Sequence, residues 1–454
     1  MDRRLRIPFV ALATLAPALG APVQASAQTQ PRPNILLIVT DDQRAGTLGV
    51  MPHTTERFVR HGTRFSRAFT TTPLCCPSRV TMFTGRYAHN HGIFSNREDP
   101  QTLASRQDSM VQRRLHDAGY RTGLVGKFVN NWPNDRNPAN FDRWVTTPFT
   151  TFSGGEWNVN GSVQVVDQNS TTFIGRRTVG FLRSSEQADA APWFLQVGFM
   201  APHFPATVEQ RYQDVPVPPL RLNAGMREAD RRDKPPYVRA RRLAKKNVIE
   251  GRRARQLRSL VAVDDQVRRI MSTIDQLGET GDTLAIFVSD NGYLWGEHGL
   301  FAKSTPYLQS ARIPMFMTWP GALAKGATDD RLSGIIDIAP TILSAAGLEP
   351  SSELDGMDLL DPTSARNRLL LEFRQVDLIP VPTWSAVLTK RHSFVEYVNE
   401  AGGVTFREFY RLRSDPQQLV NVLADGDRDN DPNVPRLSSL LRALRTCSGT
   451  SCPR

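Results

Sequence analysis

Cysteine is scarce in this chain, with four in 454 residues: Cys75, Cys76, Cys447 and Cys452. So few thiols exclude a disulfide-dense scaffold. No Cys or His stands at ligand spacing beside Cys75 and Cys76, which disfavours zinc at that pair. Beyond the N-terminal segment no apolar run approaches the length of a bilayer crossing, so no membrane span is expected in the mature chain. Internal repeats and coiled-coil heptads are also missing, which removes solenoids and long helical rods.

What is there begins with an export pattern. Arg3, Arg4 and Arg6 precede an apolar run from Ile7 to Val23, and Ala25-Ser26-Ala27 forms an A-x-A cleavage site before Gln28. Residues 1–27 are therefore expected to be a secretory signal peptide, placing the mature protein outside the cytoplasm, secreted or periplasmic. Arg3-Arg4 fits a twin-arginine signal poorly. In an oxidising compartment Cys447 and Cys452, close together in "RTCSGTSCPR", are expected to form a small terminal disulfide. On residue type alone, Cys75 and Cys76 would be two small buried hydrophobes.

With 40% hydrophobic residues the chain exceeds the size at which one core stops growing, so a large domain and a smaller one are expected. Two apolar runs end in carboxylates: "PNILLIVTDDQ" in Asp41-Asp42, and "DTLAIFVSDNG" in Asp290-Asn291-Gly292. Such runs read as buried parallel strands, whose carboxyl ends collect ligands. Each cluster alone could equally cap a following helix or turn. Between Phe194 and Leu284, apolar positions Leu257, Leu260, Val261, Val267, Ile270, Ile274 and Leu277 recur at threes and fours, the pattern of a helix packed on a sheet. The alternation implies an α/β fold: a doubly wound mixed sheet flanked by helices over residues 28–350. Over 351–454 the pattern changes to short runs at Leu369–Phe373, Trp384–Thr389, Ser393–Val398 and Phe406–Leu412 with a helix near Leu437–Leu444, a smaller antiparallel sheet and helix.

Cys75-Cys76-Pro77-Ser78-Arg79 fits C-x-P-x-R, and "TGRYAHNHG" follows one short helix downstream. This resembles the signature of type I sulfatases, within the alkaline phosphatase superfamily. The resemblance implies that Cys75 is oxidised to formylglycine by a formylglycine-generating enzyme. The hydrated aldehyde then offers two geminal hydroxyls, one to attack sulfur and one to expel sulfate. It further implies that Asp41, Asp42, Asp290 and Asn291, with the modified Cys75, hold a metal. Oxygen ligation without histidine points to calcium, magnesium less so.

The same resemblance gives roles to several cations. "GYRTGLVGKF" resembles the second sulfatase signature and supplies Lys127; "FLQVGFMAPHFP" supplies His203; "GEHGLFAKSTPY" supplies His298 and Lys303. Arg79 is expected to support the hydrate, Lys127 and Lys303 to share the charge of the sulfuryl oxygens, and Lys303 with His203 to protonate the leaving alcohol. His298 stands between support and substrate contact. Many relatives carry a histidine two residues after the signature lysine, where this chain has Val129; "GKFVNNW" looks more like the N-acetylglucosamine-6-sulfatase branch. A sulfated small molecule or glycan is the implied substrate. The alternatives are a phosphonate or phosphate ester hydrolase of the same superfamily, or a noncatalytic relative that binds sulfated glycans.

The formal charge of +11 is concentrated between Arg227 and Arg258. That segment reads first as a solvated loop and helix start, second as a funnel for sulfated glycans. No nucleic-acid module accompanies it, so no nucleic-acid partner is expected.

Overall fold

The computed structural model describes residues 1–2, 32–148, 150–187, 191–376 and 379–453. Contacts divide the chain into Met1–Pro31 and Arg32–Arg454. The expected signal peptide lies outside the described residues save its first two. No helix among the described residues is long and apolar enough to cross a membrane.

The strands, in chain order, are β1 (Asn34–Thr40), β2 (Thr63–Phe69), β3 (Arg121–Gly126), β4 (Arg143–Thr146), β5 (Glu156–Val159), β6 (Ser162–Val165), β7 (Trp193–Gly198) and β8 (Thr283–Ser289). There follow β9 (Leu294–Trp295), β10 (Phe301–Ala302), β11 (Met315–Thr318), β12 (Ala327–Gly334) and then β13 (Leu369–Phe373), β14 (Thr383–Leu388), β15 (His392–Val398) and β16 (Val404–Arg411). Ten of them form one mixed sheet in the order β12-β2-β11-β8-β1-β7-β3-β4-β5-β6. Its centre, β8-β1-β7-β3, is parallel.

Because side chains alternate across a strand, β1 feeds two cores. Ile35, Leu37 and Val39 pack with Cys76, Val80 and Phe83 of the helix Cys75–Thr84. Leu36 and Ile38 pack with Leu257, Leu260, Val263, Val267 and Ile270 of the helix Lys246–Leu277. Helices therefore cover both faces, the doubly wound arrangement expected. The spacing of threes and fours in the long helix fixes which stripe is buried.

The strands β13 to β16 form a separate antiparallel sheet in sequence order, with the helix Val434–Thr446 against it. Cys447 and Cys452 are disulfide-bonded, as expected, and Cys75 and Cys76 are free and buried. This smaller sheet braces the larger body. The Trp384 indole N–H donates to the Ser304 carbonyl at 2.9 Å, and the buried Glu408 accepts from Tyr307 at 3.0 Å and Tyr397 at 2.7 Å.

A second brace is charged. His89 Nδ1 faces both oxygens of Glu372 at 3.1 and 3.2 Å while Nε2 faces the Cys447 carbonyl at 3.0 Å. Both ring nitrogens meet acceptors, which only the imidazolium satisfies. Burial opposes that charge, but the Glu372 hydrogen bond and charge outweigh it and raise the His89 pKa above the ordinary value. A raised folded pKa means the contribution is complete below the unfolded value of about 6.5 and is lost as pH climbs through the folded one. The melting temperature should therefore decline as pH rises above neutrality. In His89→Gln that decline should be shallower; an unchanged slope would remove His89 as its source.

Candidate active site

Register places the site. Thr40 of β1 lies opposite Ser289 of β8, so Asp41-Asp42 and Asp290-Asn291 leave the sheet at one level. Val39 pairs with Gly198, and Gly198 with Gly126, so the loop bearing His203 and the residue Lys127 emerge beside them. The approach is close: a Cβ on Gly126 would sit 2.1 Å from the Gly198 carbonyl oxygen, and one on Gly198 2.1 Å from that of Lys127. Glycine at both positions lets β3 deliver Lys127 to the rim. Asp42 holds a left-handed φ of 67°, a conformation Asp tolerates better than most residues.

Cys75 opens the helix Cys75–Thr84, all of it buried. The residue before it, Leu74, offers no side-chain cap; instead Asn96 Oδ1 accepts the Cys76 N–H at 2.8 Å. Cys75 Sγ lies 3.2 Å from Asp41 Oδ1, 4.0 Å from Asp42 Oδ1 and 2.7 Å from Lys303 Nζ. Lys127 Nζ pairs with Asp41 at 2.5 Å, and Lys303 Nζ pairs with Asp42. Ligand atoms of Asp41, Asp42, Cys75 and His203 all fall within 4.8 Å of one another.

Asp290 joins this group at one remove. Its Oδ1 accepts the Asp42 N–H at 3.1 Å and its Oδ2 accepts Arg79 Nε at 2.8 Å. Arg79 Nη1 also donates to the carbonyls of Lys127 at 2.9 Å and Phe128 at 3.3 Å. Arg79 is wholly buried, and its Nη2 has no hydrogen-bond partner. Asn291 Nδ2 donates to Asp42 Oδ1 at 2.7 Å, while Asn291 Oδ1 is buried without a partner.

The charges are interdependent. Burial opposes ionisation of Asp41, but Lys127, His203, Lys303 and Arg79 together hold its carboxyl far below the usual range. Burial, then Asp41, push the Asp290 pKa up, against Arg79, Lys127 and Lys303. Burial would discharge Lys303; the carboxylates of Asp42, Asp41 and Asp290 outweigh it, so Lys303 stays protonated. Burial pushes the Cys75 thiol up, with Asp41 and Asp290 adding to it against Lys127 and Lys303, which keeps it a protonated and weak nucleophile.

Three carboxylates and an amide oxygen gathered on one rim suit a hard divalent cation, and the unpartnered Asn291 Oδ1 is the donor such an ion would engage. His203 stands beside this set. His203 Nε2 comes within 3.7 Å of Asp42 Oδ2, with Nδ1 held by the Phe204 carbonyl at 2.7 Å.

His298 is elsewhere. Its side chain is fully buried, Nδ1 lies 2.6 Å from Glu228 Oε2, and the ring stacks on Tyr307 at 4.1 Å. These contacts tie it to Glu228 and Tyr307, the support reading of the two the sequence left open. The segment 227–258 is likewise not a simple solvated loop. Glu228 holds His298, Arg231 donates to the His298 carbonyl at 2.8 Å, and Lys234 is completely buried against Glu228, Asp233 and the Leu419 carbonyl. Sequence reading missed Asn96 and Glu228, since both act through long-range contacts that no local spacing marks.

The family model described as "Sulfatase" matches residues 33–348, and one described as "N-sulphoglucosamine sulphohydrolase, C-terminal" matches 296–445. An arylsulfatase of Chlamydomonas reinhardtii is 30% identical over 97% of this chain and 79% of its own length. The human N-acetylglucosamine-6-sulfatase is 26% identical over 93% of the chain and 86% of its own length. The chain spans only 32% and 50% of two further relatives, extracellular sulfatase homologues of Drosophila melanogaster and Caenorhabditis elegans. A solved structure of a protein with its substrate D-glucosamine-2-N,6-O-disulfate superposes with a TM-score of 0.79 at 20% identity, covering 90% of this chain and 97% of the other. At that identity the likeness speaks for the fold.

Proposed function

The chain belongs to the sulfatase family, and from that premise we propose that it is an exported hydrolase of sulfate monoesters, releasing an alcohol and inorganic sulfate. The observation that carries the reading is the place of Cys75 Sγ, on the first turn of a buried helix, 3.2 Å from Asp41 and 2.7 Å from the Lys303 ammonium. Sγ stands where the oxygens of formylglycine would be after maturation by a formylglycine-generating enzyme. Formylglycine supplies two geminal hydroxyls, one a nucleophile for sulfur and the other a means of expelling sulfate.

Asp41, Asp42, Asp290 and Asn291 would hold calcium, with the modified Cys75 as a further donor. Calcium, with magnesium as the less favoured choice, supplies a Lewis acid for the sulfate oxygens. The chain's own residues do the rest. Asp41 and Asp42 anchor Lys127 and Lys303, whose ammonium groups bind and orient the sulfate. Arg79 fixes Asp290 and the Lys127 backbone in one set of bonds, so that the cationic wall is rigid before substrate arrives. His203, its Nδ1 held by Phe204, presents Nε2 to the reacting space and moves a proton there. The base that regenerates the aldehyde is not supplied by a histidine after Lys127, where Val129 is buried.

A sulfated glycan, with an amino sugar sulfate foremost, is the proposed substrate class. It is supported by "GKFVNNW", by the name of the human relative and by the sugar disulfate in the superposed structure. Side-by-side rates on a sulfate monoester and on phosphate and phosphonate esters test the reaction class. The expected order puts the sulfate ester first in kcat/KM; a reversed order would make the protein a phosphonate or phosphate hydrolase. Metal analysis of the same preparation should find calcium, and zinc with activity surviving chelation would overturn that choice.

A further inference from the structure

The loops that leave the site carry a second, basic wall. Two residues beyond Asp42, Arg44 places its guanidinium 4.7 Å from the Trp295 ring. From the long helix, Arg253 places its own 5.4 Å from the same indole, held by the Pro218 carbonyl at 2.6 Å. Both residues and the exposed Arg221 line a cavity of about 500 Å³ floored by Trp295 and Leu220, within the ~300–1,000 Å³ of small-ligand sites.

The charges in this cavity do not cancel. Among the described residues the carboxylate that pairs with an arginine of this cavity is Glu297, whose side chain is fully buried and already occupied by Arg44 at 2.7 Å, the Asn223 amide at 2.8 Å and the Trp295 backbone N–H at 2.8 Å. No ion pair of the described residues reaches Arg221 or Arg253 within 4.0 Å. Burial and then Arg44 lower the Arg253 pKa, and the nearby Glu250 does not offset them. Arginines held against an indole with surplus positive charge form a receptor for an anion, which the planar guanidinium binds in pairs of hydrogen bonds.

The helix also links this cavity to the reaction. Arg252, next to Arg253, lies between the rings of Phe204 at 4.7 Å and Phe301 at 4.6 Å. Those rings belong to the segments that carry His203 and Lys303. Consecutive arginines of one helix therefore reach the segments that carry His203 and Lys303, and the basic cavity.

We propose that the cavity of Arg44, Arg221, Arg253 and Trp295 is a subsite for a second anionic group, sulfate or carboxylate, on a polyanionic glycan whose scissile sulfate lies at Cys75. This rests on the sulfatase reading for the position of the scissile group. The subsite gives the basic segment a defined role at its helical end.

The test uses the full chain in a Cys75→Ala background, so that binding is read without turnover. Titration with a heparin-derived sulfated hexasaccharide should give a Kd at least tenfold weaker in Arg221→Gln/Arg253→Gln, with a smaller salt dependence. In otherwise wild-type enzyme, the ratio of kcat/KM on the hexasaccharide to that on 4-nitrophenyl sulfate should fall by a similar factor. Arg221→Gln alone, at an exposed loop position, gives the same direction should the double variant not fold. Equal weakening by neutralising exposed Lys325 and Arg428 would reduce the effect to net charge and overturn the subsite, as would unchanged binding in the double variant or no binding by the parent. Absence of sulfatase activity with the binding difference intact would fault the reaction and leave the subsite standing.

Discussion

Cys75→Ala should lower kcat/KM on any sulfate ester by on the order of 10⁴-fold or more, the scale seen when a reacting side chain is removed, with little change in melting temperature. The matched substitution Cys76→Ala should cost no more than a few fold. The two thiols are chemical twins in sequence and both are buried, so the contrast comes from direction alone. Cys75 Sγ points among Asp41, Asp42 and Lys303. Cys76 packs into the apolar cluster with Val80 and Phe83, and its thiol faces the Asn130 carbonyl at 4.0 Å. Burial pushes the Cys76 thiol up to about 12, so it stays an inert, protonated hydrophobe. The tryptic peptide ending at Arg79 supplies the covalent half of the test. Its mass in active enzyme should show formylglycine once, at Cys75, with Cys76 intact. Full activity with both cysteines unmodified would sink the mechanism.

Much of this site was legible because long apolar runs mark the central strands of a parallel sheet, whose carboxyl ends share one rim. "ILLIV" at 35–39 and "LAIFV" at 284–288 are apolar without interruption, the mark of strands at the centre of a sheet. Once they lie side by side in parallel, their terminal carboxylates must meet. Lys127 and His203 were singled out by the family resemblance, and the close spacing of two cysteines at the chain's end gave the disulfide of Cys447 and Cys452. His298 was not assignable in that way. Its fate depends on Glu228, seventy residues earlier, in a segment whose composition suggests solvent and whose fold buries Lys234. Asn96, which caps the catalytic helix, is equally silent in sequence, since Leu74 occupies the position where a capping residue would be sought. The short strands β4 to β6 were not anticipated either. β6, "SVQV", is exposed at every residue, so no buried periodicity announces it.

The remaining large effect tests the proposal that Lys303 and His203 donate protons against mere sulfate binding. Lys303 sits on the loop after β10, flanked by Ala302 and Ser304, both with left-handed φ, at 69° and 74°. Such backbone costs of order 1–3 kcal/mol for a non-glycine residue and persists only where surrounding bonds enforce it. Here the Ser304 N–H donates to the Pro73 carbonyl at 3.0 Å and the Ser304 carbonyl accepts from Trp384. The ammonium is thereby aimed at Cys75 Sγ, and it is charged, since the carboxylates of Asp42, Asp41 and Asp290 overcome the burial that would neutralise it. His203 approaches the same carboxylate from β7 with its Nδ1 already committed to Phe204. A donor in either place helps in proportion to the basicity of the departing alkoxide. A nitrophenolate needs little help and a sugar alkoxide needs much. Lys303→Ala and His203→Ala should therefore cost roughly 10²–10⁴-fold in kcat/KM on a sugar sulfate, the range for general acid catalysis. On 4-nitrophenyl sulfate the loss should be markedly smaller. Lys303→Ala also uncovers Asp42, which weakens sulfate binding for both esters alike, so the difference between esters is the measure of proton transfer. Losses of equal size on both esters would reassign the residue to holding sulfate, and a difference in one variant alone would name that residue as the acid.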